Sequence, residues 1–311
     1  MAQIRGALVL QGCPVALADA EIAEAQASPY LQGAGLAQAR LEKRDWVLRS
    51  LSRLATMDGG LAMVPRHRDL PADRFFADFY AANRPVLLDG LVDGWAAREW
   101  SFAGLAARFA DVETEVQEGR ERDPAYEINM AQLRVRRRFG DVVARIERGG
   151  ASNDFYVTAN NGGHNRAALA DLWHDTGPIP GILAEDGPAA GYFWMGPQGT
   201  ITPFHHDLTN NLLVQFVGTK RVTLAPIWET PRMRNHIHCY SQWDGPAAIA
   251  AAPEADRPAI IHCDLGPGDT LFIPVGWWHH VEALEPTIGM SFTGFARPND
   301  HYSDYRSFGA L

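Results

Sequence analysis

Apolar positions in the first 60 residues recur with the spacing of an amphipathic helix. From residue 47 they follow an i, i+1, i+4, i+7, i+8 pattern, which places them on one helical face. The positions are Val47, Leu48, Leu51, Leu54 and Ala55, extended by Leu41 and Trp46. We therefore predict a helical appendage over residues 1–60, ended by Gly59-Gly60. Its apolar side either packs against the rest of the chain or forms a contact in a homodimer.

The pattern changes over residues 61–311, where short apolar runs alternate with turn residues. A helix is predicted at 70–80, a buried strand at 84–90, and a second helix opening at 100–105 with Ser101 as its cap. Further strands are predicted at 112–116, 155–158, 192–196, 211–217, 220–226, 259–263, 269–274, 278–283 and 287–295. Many short strands separated by turns predict a mainly β domain with flanking helices, built on a double-stranded β-helix, or jelly-roll, core.

Composition and charge narrow the class of protein. The chain has 311 residues, 46% of them hydrophobic, enough for one large domain with an appendage. A formal net charge of −9 disfavours a nucleic-acid partner without excluding one. No apolar run approaches the roughly 18 residues that a membrane span needs. Three cysteines indicate no disulfide framework, so we expect a reducing, cytoplasmic environment.

Two local features leave alternatives open. The dense basic cluster Arg134, Arg136, Arg137 and Arg138 is predicted to be either a solvated helix face or a contact for an acidic peptide or phosphate backbone. Residues 159–165 are rich in glycine and asparagine and are predicted to form a loop, a candidate lid over a site.

The main candidate for chemistry is the segment 202–207, which reads Thr-Pro-Phe-His-His-Asp. Side chains of a strand alternate between faces, so His205 and Asp207 point the same way. A third imidazole from a distant strand would complete two histidines and one carboxylate, the facial arrangement of non-haem Fe(II) oxygenases. Zinc with the same ligands and water is the chemical alternative.

A second block supplies that imidazole. Residues 266–281 include Trp277-Trp278-His279-His280, and only one of these adjacent histidines can enter the barrel at that level. The first block continues after residue 207 with Asn211, Gln215, Gly218 and Lys220. Together the two blocks resemble the JmjC and cupin-like hydroxylase family of Fe(II)/2-oxoglutarate oxygenases, and its factor-inhibiting-HIF branch more than the histone demethylases. The similarity runs from about residue 65 to residue 298.

This resemblance implies a metal site, formed by His205, Asp207 and His279. It implies Fe(II), 2-oxoglutarate and O2 as the metal, co-substrate and oxidant. His206 and His280, next to the ligands on the other strand face, are expected to be second-layer or core residues, as are the paired tryptophans.

The resemblance also implies a site for the far carboxylate of 2-oxoglutarate. Lys220, fifteen positions after His205, would supply the cation, and the hydroxyls of Tyr156 and Thr202 would share the carboxylate. Thr202 would need a local bulge near Pro203, since strict alternation places it opposite His205. Asn211 would lie beside the co-substrate. Ser291 stands where the nearest relatives of this pattern carry asparagine.

The expected activity is hydroxylation of a protein or peptide side chain with release of succinate and CO2. Within the same enzyme class, the substrate could instead be a modified RNA base or a small metabolite. An alternative from another class is a non-catalytic, metal-binding cupin protein. The segment Cys239–Asp244 lies between the two metal blocks, where relatives contact substrate.

Overall fold

The computed structural model describes residues 2–57, 62–159, 162–187 and 191–311, and the chain divides into two compact units, Met1–Asp58 and Gly59–Leu311. The first unit is helical, as its apolar spacing predicts. Its helices are α1 (Ala2–Leu10), α2 (Val15–Ala27) and α3 (Pro29–Met57). The predicted stop at Gly59-Gly60 lies outside the described residues. The dimer contact stays a prediction.

The second unit is built on β-strands. Its strands are β1 (Arg66–Arg68), β2 (Val86–Asp89), β3 (Glu113–Glu118), β4 (Arg134–Arg138), β5 (Phe155–Tyr156), β6 (Tyr192–Gly196), β7 (Ile201–His206), β8 (Asn211–Val217), β9 (Lys220–Ala225), β10 (Asn235–Ile237), β11 (Tyr240–Ser241), β12 (Ile261–Leu265), β13 (Thr270–Ile273), β14 (Trp278–Ala283) and β15 (Thr287–Phe292). Two six-stranded sheets run in the orders β1-β2-β13-β8-β15-β6 and β10-β11-β7-β14-β9-β12. This jelly-roll architecture confirms the predicted fold class.

Alternation along the strands divides the core into an inner and an outer layer. On β8, Leu212, Val214 and Phe216 belong to the outer layer, which the flanking helices cover. Leu213 belongs to the inner layer between the sheets, together with Val222 from β9. Because side chains of a strand alternate, Asn211 and Gln215 share the inner face with Leu213, and Lys220 shares it with Val222. The inner face therefore carries both the apolar barrel core and the polar residues that the sequence singles out.

Helices and short turns flank the sheets. The helices are α4 (Ala72–Phe75), continued by a π-helical turn (Phe76–Tyr80), then α5 (Phe102–Phe109), α6 (Phe139–Glu147), α7 (Gly162–Ala168) and α8 (Pro246–Ala251). The predicted cap of α5 is confirmed, because Ser101 Oγ accepts a hydrogen bond from the Gly104 amide at 3.1 Å. None of the described helices is both long and apolar enough to cross a bilayer.

The basic cluster is not on a helix, so that prediction was wrong. Residues 134–138 form strand β4, which pairs antiparallel with β3 in a three-stranded sheet. Each of the four arginines forms an ion pair with an acidic residue, which lies on β3 in three cases and just before β3 in the fourth. The pairs are Arg134–Glu115, Arg136–Glu113, Arg137–Glu118 and Arg138–Asp111. Opposite charges across a strand pair stabilise the sheet, and they neutralise the surface that would attract a phosphate backbone.

The prediction of a loop over residues 159–165 was also wrong in part. Gly162–Ala168 is helical, and the Asn165 side chain accepts from the Glu115 amide at 2.7 Å and donates to the Glu115 carbonyl at 2.9 Å. Residues 160–161 lie outside the described residues. The helix is held against the edge of β3 by these bonds, which a sequence rich in glycine and asparagine does not reveal.

Strand β7 contains a bulge where it pairs with β14, and the bulge changes the face on which its side chains lie. His205 lies opposite His279, but Thr202 lies opposite Val281, so two residues of β7 face one residue of β14. The parity of the strand changes across Pro203-Phe204, and Thr202 returns to the face of His205. The bulge that the sequence required near Pro203 is therefore confirmed.

Candidate active site

The register of β7 against β14 brings two imidazoles together inside the barrel. His205 and His279 are direct cross-strand partners, and their ring centroids lie 4.1 Å apart. His279 is 4% exposed, so its ring has little contact with bulk water. Two strands distant in sequence thus supply neighbouring nitrogen ligands.

Both imidazoles are held with Nε2 directed inward. His205 Nδ1 lies 2.9 Å from the Pro203 carbonyl oxygen, and His279 Nδ1 lies 3.0 Å from that of Trp277. A carbonyl only accepts hydrogen bonds, so Nδ1 carries the proton in each ring and Nε2 presents a lone pair. Metal-binding histidines are commonly oriented by a bond of this kind.

Asp207, directly after β7, completes the group. Its carboxylate oxygens lie 3.6 Å from His205 Nε2 and 3.8 Å from His279 Nε2. The three potential ligand atoms lie within 4.8 Å of one another, a spacing that one metal ion can bridge. Burial opposes ionisation of Asp207, but the positive charge that His279 and His205 carry when protonated, together with a hydrogen bond from Asn211, holds its pKa below the usual value. The carboxylate is therefore charged at neutral pH.

Asn211 at the start of β8 orients this carboxylate. Its Nδ2 donates to Asp207 Oδ2 at 3.1 Å. Its Oδ1 is buried and has no hydrogen-bond partner among the described residues. The free oxygen is an acceptor available to a bound molecule or water.

Lys220 lies deeper in the same cavity. It is one of two lysines in the sequence, the other being Lys43, and it is 2% exposed. Its Nζ donates to Tyr156 Oη at 3.2 Å. Burial lowers the pKa of Lys220 to about 7, and burial also raises the pKa of the Tyr156 phenol. A buried ammonium hydrogen-bonded to a neutral phenol is suited to receive an anion.

Thr202 and Ser291 border the same space. Thr202 lines it because of the β7 bulge, and Ser291 Oγ accepts from Trp194 Nε1 at 2.9 Å. The cavity has a volume of about 700 Å³ and includes every site residue that the sequence predicts. The structure thus brings all eight together, namely His205, Asp207, His279, Tyr156, Thr202, Asn211, Lys220 and Ser291.

A buried ion pair that the sequence did not reveal forms another wall. Glu127 lines the cavity, and its Oε1 lies 3.1 Å from the guanidinium of Arg120. Arg120 also donates to the Ile201 carbonyl at 2.5 Å, at the start of β7. Burial raises the pKa of Glu127, while Arg120 and His205 oppose the shift. The only sequence signal was a charged stretch, 118–127, in which nothing distinguishes these two residues.

The residues next to the ligands point away from the cavity, as expected. His280 is buried against Phe204, with ring centroids 5.3 Å apart, and burial lowers its pKa to about 4. His206 packs edge-on against Trp278. Both tryptophans are fully buried. Of the segment 239–244, Cys239 and Tyr240 line the cavity.

The three side chains of His205, Asp207 and His279 could bind a divalent metal ion on one side only. Two neutral imidazoles and one carboxylate leave other coordination positions open toward the cavity. Lys220 and the hydroxyls around it fit a second carboxylate on a molecule reaching that metal. Three candidate ligands beside a buried cation differ from the four protein ligands of a closed structural zinc site.

Comparison with known families identifies the class of protein. The model of the cupin-like domain matches residues 72–293, most of the chain. The chain belongs to this family, which confirms that part of the prediction. Its fold is that of a cupin-like, JmjC-type domain.

The individual proteins that this chain resembles are named for different activities. The chain is 27% identical over 251 residues to the lysine-specific demethylase JMJ21 of Arabidopsis thaliana, covering 73% of this chain and 25% of that protein. It is 27% identical over 241 residues to lysine-specific demethylase 8 of Danio rerio, covering 74% and 57%. It is 23% identical over 270 residues to tRNA wybutosine-synthesizing protein 5 of Danio rerio, covering 79% of each. The factor-inhibiting-HIF branch finds no specific support in these names and stays a prediction.

The two adjacent histidines of β14 provide a direct test of the register. We expect His279→Ala to lose tight binding of Fe(II), because it removes a nitrogen that faces Asp207. His280→Ala is the matched control and should keep the metal, since that ring packs on the outer face against Phe204. Iron stoichiometry of the two purified variants checks this. Metal retained in His279→Ala and lost in His280→Ala would show that the ligand is the other histidine.

Proposed function

We propose that this protein is an Fe(II)- and 2-oxoglutarate-dependent oxygenase that hydroxylates a protein or peptide side chain and releases succinate and CO2. The observation that carries the proposal is the shared cavity. Two inward-facing imidazoles and a carboxylate lie at one position, and at another lies a buried lysine that pairs with no acid among the described residues. A dicarboxylate with one end at the metal would place its other end at Lys220.

Each residue has a defined role in this proposal. His205, Asp207 and His279 would hold Fe(II), which when bound supplies the oxidative chemistry with O2. Lys220, Tyr156 and Thr202 would bind and orient the far carboxylate. Asn211 fixes Asp207 and offers its free oxygen to the co-substrate. Leu213 and Val281, which belong to the apolar inner core, would form the apolar part of the cavity wall.

Other residues that line the cavity would be available to a substrate. They include Glu127, His238 and Tyr240. Since the arginines of β4 are paired with acids, they do not form a free basic patch for RNA. A modified RNA base nevertheless remains the second candidate, because one relative is named for tRNA wybutosine synthesis. The chain spans only about a quarter of the demethylase JMJ21, so the substrates of that whole protein do not transfer directly.

Turnover of 2-oxoglutarate tests the proposed function. We expect the protein with Fe(II), ascorbate and 2-oxoglutarate to release succinate, and release to increase with a matching peptide from a library that includes methylated lysines. Asp207→Ala should reduce succinate release to background while the far-ultraviolet circular dichroism spectrum is retained. Mass spectrometry identifies the product, one oxygen heavier for hydroxylation or one methylene lighter for demethylation.

Two results would contradict this function. Wild-type protein that binds iron but gives no succinate with any peptide, RNA or metabolite pool would support a non-catalytic cupin protein. Full turnover by Asp207→Ala would exclude that carboxylate as an essential ligand.

The pKa of Lys220 predicts how co-substrate binding depends on pH. The ammonium form binds the carboxylate, and with a pKa of about 7 it is lost as pH rises through that value. The apparent affinity for 2-oxoglutarate should thus be constant below about pH 7 and fall about tenfold per pH unit above it.

Lys220→Met should weaken the binding of 2-oxoglutarate more than roughly tenfold at pH 7, since a lost buried charge contact costs about 2–5 kcal/mol. The same substitution should remove the pH dependence.

Calorimetry with Mn(II) in place of iron measures both effects. Metal affinity is the control and should be unchanged in Lys220→Met. An unaltered affinity for 2-oxoglutarate in that variant would show that Lys220 does not contact the co-substrate.

A further inference from the structure

Arg120 is a buried cation beside the cavity. It is 1% exposed and begins a short 3-10 helix, Arg120–Arg122, in the segment between β3 and β4. Its guanidinium does not line the cavity itself, but it contacts three parts of the chain that belong to the cavity wall or lead directly into it. These are the carboxylate of Glu127, the ring of Tyr156 and the carbonyl of Ile201.

The contact with Ile201 fixes the start of strand β7. Arg120 Nη2 donates to the Ile201 carbonyl oxygen at 2.5 Å, and Tyr126 Oη donates to the same oxygen at 3.3 Å. The Ile201 amide in turn donates to Asn153 Oδ1 at 2.9 Å. A carbonyl group and the N–H that follows it lie in one planar peptide, so the bond from Arg120 also orients the backbone of Thr202. Arg120 therefore acts on a residue that lines the cavity.

The contact with Tyr156 holds the phenol that accepts from Lys220. The guanidinium carbon of Arg120 lies 5.2 Å from the centre of the Tyr156 ring and 4.3 Å from that of Tyr126, both within the range of a cation–π interaction. Arg120 Nη1 also donates to Gln117 Oε1 at 3.2 Å, and Gln117 is the cross-strand partner of Tyr156. The phenol is thus held by Arg120 directly and through its strand partner.

The ion pair with Glu127 balances the charge of the guanidinium. Glu127 Oε1 lies 3.1 Å from Arg120 Nη2. Buried ion pairs are often no more stabilising than apolar side chains of similar size. In addition, Arg120 Nε is buried and has no hydrogen-bond partner among the described residues, which is costly. Stability alone is therefore a weak reason for this pair, whereas a planar group with five donors can bind several wall residues at once.

We propose that Arg120 is a positioning residue for the far carboxylate of the co-substrate, and that it holds Thr202 and Tyr156 in the geometry that a dicarboxylate requires. This role rests on the proposed function, since the site for the far carboxylate is part of that function. Lys220 supplies the charge, and Arg120 fixes the hydroxyls beside it. In the part of the chain that the structure describes, the contacts of Arg120 include none of the three candidate metal ligands. Loss of Arg120 should therefore affect the co-substrate and not the metal.

Two related acids separate this role from a general structural one. 2-Oxopentanoate has the metal-binding end and the chain length of 2-oxoglutarate, but a methyl group replaces its far carboxylate. Calorimetry with Mn(II) on the 311-residue protein measures the affinity for each acid, and the ratio of the two affinities is the preference for the dicarboxylate. A defect in the site for the far carboxylate lowers this preference, whereas a general structural defect weakens both acids equally.

The main variant combines Arg120→Met with Glu127→Gln, which removes the guanidinium without leaving a buried carboxylate unpaired. Its preference for 2-oxoglutarate should fall about tenfold, because the hydroxyls of Thr202 and Tyr156 lose their fixed positions. Its affinities for Mn(II) and for 2-oxopentanoate should stay within about twofold of the wild-type values.

Three single variants complete the set. Glu127→Gln keeps Arg120 and makes the wall more positive, so the preference should be retained or increased. Arg122→Met makes the same change at an exposed arginine of the same short helix and should behave as wild type. Arg120→Lys keeps the charge and decides the question if the double variant does not fold. One ammonium cannot replace the planar set of donors, so its preference should fall at least about threefold.

The wild-type and variant results distinguish the two proposals. Wild-type protein that binds the two acids equally would overturn the proposed function, and the role of Arg120 with it. A wild-type preference that persists undiminished in the double variant and in Arg120→Lys would overturn the role of Arg120 alone. Equal weakening of both acids in these variants would also overturn that role.

Discussion

His205 lies directly opposite His279 in the antiparallel pair of β7 and β14, and the geometry of the cavity depends on that register. A slip of one residue between these strands would place the two rings on opposite faces of the sheet, because side chains alternate along a strand. The bulge at Pro203-Phe204 then allows Thr202 to share the face of His205. The carbonyl oxygens of Pro203 and Trp277, each two residues before a histidine, orient the two imidazoles. The strand pairing thus sets the position of the two candidate nitrogen ligands, and these carbonyls set the ring tautomers.

The second constraint is the polarity of the barrel interior. Val222 and Leu224 continue the inner face from Lys220, so the ammonium lies at the edge of an apolar layer. No acid pairs with this group in the part of the chain that the structure describes, so its burial destabilises the protein, and the effect is strongest at a pH where the lysine is charged in the folded state. Such a cost is typical of a site arranged for a ligand rather than for stability. The phenol of Tyr156 accepts a hydrogen bond from the ammonium without neutralising its charge.

Much of the fold and of the site could be predicted from local patterns. Strand alternation placed His205 and Asp207 on one face, and the need for Thr202 to join them required the bulge at Pro203. The features that were missed depend on tertiary contacts. The arginines of 134–138 suit a helix or a strand equally by charge, and only their acidic partners on β3 decide between them. Arg120 and Glu127 meet inside the barrel wall, where no sequence spacing marks them.

The central claim is that one ligand joins the metal position to Lys220. Crystals of the protein grown with Mn(II) and 2-oxoglutarate test it by anomalous diffraction. We predict a single metal peak within bonding distance of Nε2 of His205, Nε2 of His279 and the Asp207 carboxylate, with the far carboxylate of 2-oxoglutarate on Lys220 Nζ and Tyr156 Oη. A metal bound elsewhere, or 2-oxoglutarate bound away from Lys220, would contradict it.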